Sequence, residues 1–229
     1  MRTLLLGIIF TGVTFLQGYS QCSNPYYQLK NGTFIATENY DEKDKLQGRA
    51  ETRVIELNET PGGYVATINY KVFDKKDKVV SEGNYQCECD DGNIRIDMKA
   101  FIPQESLQAY KDMEVEIVSD ELQIPANLSV GQTLPDATFA IKTKNSPMPM
   151  NMTFNMINRK VEGEESVTTP AGTFDCMKIT YDVQSKMMMM NMNMKTVQYL
   201  SKNGGAVRTE SYKQNGSMLG YTIMTKIEN

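Results

Sequence analysis

No histidine occurs among the 229 residues of this chain. Its absence removes the commonest general base, the serine–histidine and cysteine–histidine nucleophile pairs, and histidine-ligated zinc. A glycine-rich phosphate loop is missing too, since the glycines fall in turn-like settings. Positive charge is concentrated nowhere: 24 basic residues against 28 acidic give a net charge of −4, so nucleic acid is not an expected partner. The carboxylates are scattered, and the adjacent Glu164 and Glu165 would point to opposite faces of a strand rather than form a glycosidase dyad. Long apolar runs are lacking beyond the first twenty residues, which leaves no transmembrane span in the rest of the chain. These absences favour a protein that is not an enzyme and holds no cofactor or resident metal.

What is present begins with an export signal. Arg2 supplies a charged start, Thr3 to Leu16 an apolar run, and Gly18 and Ser20 the small residues a signal peptidase needs. Gly7, Thr11, Gly12 and Thr14 interrupt that run, which falls short of the roughly 20 residues a helical span requires. Cleavage near Ser20 is expected, giving a signal peptide over 1–20 and a soluble protein over 21–229 in the periplasm or outside the cell. Cys22 follows Gln21 rather than a small residue, which disfavours lipid attachment.

Alternation of apolar and polar residues dominates the rest. Tyr64, Ala66, Ile68, Tyr70 and Val72 alternate with Thr67, Asn69 and Lys71, the period of a half-buried strand. Tyr85, Cys87 and Cys89 continue the pattern, Asp91-Gly92 supplies a tight turn, and Ile94, Ile96 and Met98 return it. Similar stretches recur to Glu228, with turns at Pro61-Gly62-Gly63, Thr169-Pro170-Ala171-Gly172, Asn203-Gly204-Gly205 and Asn215-Gly216. The expected fold is mainly β: an antiparallel meander of about a dozen strands forming an open half-barrel or two-sheet sandwich, with at most one or two short helices. Gln104 to Met113 is the helix candidate. One domain over 21–229 is expected, with the junction of any two lobes near 114–136.

Four cysteines in an exported chain point to disulfides. Cys87 and Cys89 lie two apart on one strand face, so each can reach a distant partner, Cys22 or Cys176. Such pairings are favoured over a strained Cys87–Cys89 bridge.

The stretch from Thr169 to Ile179, followed by Gly205-Ala206-Val207-Arg208-Thr209-Glu210 and Gly216-Ser217-Met218-Leu219-Gly220-Tyr221, resembles the TapB-like domain family of exported bacterial proteins. That resemblance implies no assigned enzymatic activity, and a domain similar to the open β-half-barrels of periplasmic lipoprotein carriers. It implies no catalytic residue.

Methionine is the unusual abundance. Ten of sixteen fall in two tracts, 148–156 and 187–194. In extended chain Met150, Met152, Phe154 and Met156 share a face, as do Met188, Met190, Met192 and Met194, while Asn151, Thr153, Asn191 and Asn193 take the other. Thioether walls suit ligands of variable shape, so these eight residues are the candidate binding surface for a lipid or a hydrophobic peptide. Two alternatives use the same residues: a buried methionine core in a structural or envelope-assembly component, and a soft site for Cu(I) or Ag(I). The expected partner is a hydrophobic small molecule or an envelope protein.

Overall fold

The alternating stretches fold as strands. The computed structural model describes residues 22–102, 104–108, 110–144, 151–187 and 190–228; the expected signal peptide, Met150 and Met188 lie outside these. The strands are β1 (Phe34–Asp41), β2 (Leu46–Thr60), β3 (Gly63–Asp74), β4 (Val79–Asp90), β5 (Asn93–Asp97), β6 (Val115–Ser119), β7 (Glu121–Pro125), β8 (Ala137–Thr143), β9 (Met152–Thr169), β10 (Gly172–Met187), β11 (Met190–Ser201), β12 (Gly205–Lys213) and β13 (Met218–Glu228). All belong to one antiparallel sheet, ordered β6-β8-β9-β10-β11-β12-β13-β1-β2-β3-β4-β5-β7. The expected meander is there, and it curls further than a half-barrel, to near closure.

Closure happens at one residue. The two edge strands, β6 and β7, are consecutive in the chain and separated by Asp120 alone. Its N–H donates to the Thr138 carbonyl at 2.8 Å, and its carbonyl accepts from the Met98 N–H at 2.9 Å. The chain at 115–125 is therefore one extended run that pairs first with β8 and then with β5, hiding the open edges that an unpaired sheet would expose.

Helix is scarce. A 3-10 turn spans Met98–Phe101, and α1 covers only Gln104–Gln108. Beyond it the expected helix continues as turns, with Tyr110 and Met113 donating to carbonyls three residues back.

The two ends of the barrel differ. The segment after Cys22 crosses one end: Asn24 is buried and donates to the carbonyls of Gly92 and Ile124, both at 2.9 Å. The Pro25 carbonyl accepts from Asn203 at 2.7 Å on the far side, and Tyr26 enters the main core. The other end carries the β1–β2, β3–β4 and β12–β13 turns together with the described methionines of the two tracts, at the start of β9 and of β11.

Candidate functional site

The three strands β9, β10 and β11 bring the tracts into register. Met152 pairs with Met187 and that with Met190; Phe154 pairs with Ser185 and that with Met192; Met156 pairs with Val183 and that with Met194. Directly paired residues share a face, so Phe154 and Met156 of the first tract and Met192 and Met194 of the second flank β10 on one side of the sheet. Met152 and Met156 are buried, Phe154 and Met194 half-buried against the main core, and Met192 is 49% exposed.

Inside the barrel lies a cavity of about 800 Å³. Tyr27, Tyr70, Tyr85 and Tyr181 line it with Ile96, Leu122, Ile124 and Met156, and one charged side chain, Arg159, borders it. Val80 and Phe101 line it as well and are exposed, which marks its mouth. Both lie at the end that carries the methionine tracts. Of the expected site residues that are described, Met156 alone borders this cavity; Met152 packs in the core, and Met192 stands toward solvent.

Arg159 reaches the cavity through a break in strand alternation. Along β9 the inward buried positions run Met152 and Met156, then switch to Arg159 and Val161, before a second register shift at Glu162 turns Val167 to the opposite face, in the cluster with Cys176. The switch falls where Thr180 pairs with Lys160 but Asp182 pairs with Ile157, so that Asn158 and Arg159 together oppose Tyr181. Asn158 there has φ 56 and anchors to Asp182 at 2.8 Å. Such a bulge adds one residue and reverses which side chains face inward.

Arg159 as a whole is 4% exposed. Nη1 donates to the Pro135 carbonyl at 2.6 Å and Nη2 to the Gln123 carbonyl at 3.0 Å, so it also ties β9 to β7 across the closing seam. No carboxylate among the described residues reaches ion-pair distance of it. Burial holds its pKa below the usual arginine range, with Tyr181, Asp136 and Tyr27 opposing. Burial pushes the Tyr181 phenol up to about 12 against the pull of Arg159, and raises Tyr27 and Tyr85 as well. These phenols are neutral donors at ordinary pH, and none of the three hydroxyls hydrogen-bonds another described residue.

The cysteines divide unequally. Cys22 and Cys89 form a disulfide with Cα atoms 5.8 Å apart, while Cys87 and Cys176 are free and buried. A Cys87–Cys176 pairing is thereby corrected: Cys87 packs in the main core, and Cys176 in a second cluster with Val167, Tyr199, Val207 and Met224. Burial lifts their thiols to about 12 and about 11, which makes both inert rather than reactive. With its sulfur in the bridge, Cys22 cannot at the same time carry a thioether-linked lipid.

The geometry is that of a nearly closed antiparallel β-barrel with an apolar interior chamber. The chain belongs to the DUF3108-like family, whose profile matches residues 30–224; the comparison supports that name rather than the narrower TapB-like one. A candidate lipoprotein of Parabacteroides distasonis shares the fold with a TM-score of 0.73 at 24% identity, over 91% of this chain and all of its own. A candidate exported protein of Bacteroides fragilis, described as having a YmcC-like fold, does so with a TM-score of 0.73 at 22% identity, over 90% of this chain and all of its own. At these identities the likeness is one of fold. No curated protein matches the chain.

Proposed function

We propose that the protein is an exported, non-enzymatic β protein that takes an apolar or amphipathic ligand into its barrel from the methionine-bearing end. The observation that carries this reading is the cavity, whose volume of about 800 Å³ falls within the range of small-molecule sites and whose walls are mainly aromatic and aliphatic. Exposed Val79, Val80, Phe101 and Met192 give that end an apolar rim. Export is supported by the apolar leader-like run at 1–20 and by a disulfide suited to an oxidising compartment.

Uptake of a single-chain amphiphile tests it. Native mass spectrometry of the mature chain with dodecanoate or dodecanol should show a one-to-one complex with one or both. Thr209 lines the cavity from β12, so Thr209→Trp should fill the space and abolish the complex. No uptake of either probe, or uptake unchanged by Thr209→Trp, would overturn the reading.

A further inference from the structure

We infer that the cavity selects a single-chain carboxylate, a fatty acid or its like, and that Arg159 receives its head group. The inference rests on the ligand-binding reading above and names the chemistry of the ligand. A buried cation is costly unless its charge is answered, and among the described residues Arg159 is hydrogen-bonded by two backbone carbonyls and by no carboxylate. A guanidinium carries five N–H donors in a planar fork. Pro135 and Gln123 take one each, which leaves three, enough for the paired bonds a carboxylate accepts. Tyr27 and Tyr181 line the same cavity and act electrostatically on Arg159; their hydroxyls have no other described partner and can donate to the same oxygens.

Placement gives the ligand its direction. Arg159 stands seven residues along β9 from Met152 at the open end, roughly 20 Å of extended chain. A head group at Arg159 therefore lies deep, and the tail runs outward past Met156 toward Val80 and Phe101. Tyr27, carried by the segment that crosses the far end, closes the cavity behind the head group. A free inorganic anion would leave the apolar length of the cavity unfilled, and a neutral lipid would leave the guanidinium unanswered.

Dodecanoate and dodecanol share a tail and differ in the head, so they isolate the claim. At a pH where the acid is ionised, the wild-type protein should bind dodecanoate about tenfold or more tighter than dodecanol. Arg159→Met keeps apolar bulk and removes the charge; the preference should then collapse to within about twofold while dodecanol binding persists. Equal affinities in the wild type, or a preference that survives Arg159→Met, would overturn the inference and leave Arg159 as a clamp on the seam. Binding of neither probe would instead bring down the ligand-binding reading itself. Because Arg159→Met also loses two structural bonds, a second measurement uses the wild type alone. The carbon-13 carboxyl resonance of bound labelled dodecanoate should stay ionised to lower pH than in water, and titration at or above the free value would refute the pairing.

Discussion

Opening the Cys22–Cys89 bridge removes the covalent tie between the segment that crosses one barrel end and strand β4. The crosslink spans 67 residues of sequence, and in the chain-entropy account a loop of that length contributes about 4 kcal/mol through the unfolded state. Native contacts survive its loss, because Asn24 still bonds Gly92 and Ile124 and Asn203 still bonds Pro25. The expected cost is therefore close to the entropic figure alone. For a domain of this size it corresponds to a fall in melting temperature of roughly 8–16 °C. The variant is Cys22→Ala with Cys89→Ala, which leaves no unpaired thiol beside Cys87. Circular dichroism melts of the two proteins give the comparison, and thiol titration supplies the control: two reactive groups in the denatured, unreduced wild type and none in the native state. A melting temperature unchanged by the double substitution would refute the reasoning, as would four titratable thiols in protein matured in an oxidising compartment.

Alkaline pH should unfold the barrel. Tyr27, Tyr64, Tyr85 and Tyr181 have phenol pKa values raised above the ordinary 10.0, burial being the largest cause of each. Their stabilisation is complete below pH 10 and lost as pH rises toward 12; tyrosinate absorbance should appear together with loss of circular dichroism, and tyrosinate formed in a still-folded protein would contradict this. Phe139 is fully buried on β8, so Phe139→Ala should cost about 3–5 kcal/mol in urea unfolding; a loss under 1 kcal/mol would mean that this wall is loosely packed. Met156→Leu removes a sulfur but keeps apolar volume and should leave dodecanoate binding within about twofold. A large loss, or Cu(I) uptake abolished by Met190, Met192 and Met194 all changed to Leu, would instead favour thioether chemistry.

Much of the fold was legible because alternation and turn chemistry are local. The Asp91-Gly92 hairpin, the Pro170-Ala171 turn and the inward set of β3 follow from period-two patterning and from the residues a tight turn demands. Where reading by local signals stopped, non-local pairing took over. β9 runs through 18 residues, past Gly163, because β10 stays paired with it on both sides of a register shift there. The methionine alternation gave each tract a face of its own, yet their common position beside β10 depends on strand order. The cavity was hidden further still. Its tyrosines come from β3, β4, β10 and the N-terminal segment, and each looks in sequence like any other inward aromatic. Arg159 was missed for a definite reason: strict alternation from Met152 and Met156 turns it outward, and only the bulge at Asn158 turns it in. One local signal existed, for Val161 sits on an odd position, out of step with the methionines, and an apolar phase change within one strand marks a bulge.

The central claim is that the space between these strands receives a ligand rather than being packed shut. Methyl-labelled methionine offers a direct readout, because Met156 borders the cavity while Met224 is fully buried in the separate cluster with Val207. On addition of dodecanoate, the Met156 methyl resonance should shift and saturate at one equivalent while that of Met224 stays in place. A Met156 resonance that does not move, with shifts confined to exposed Met192, would show that the amphiphile only coats the surface and that the chamber is not its site.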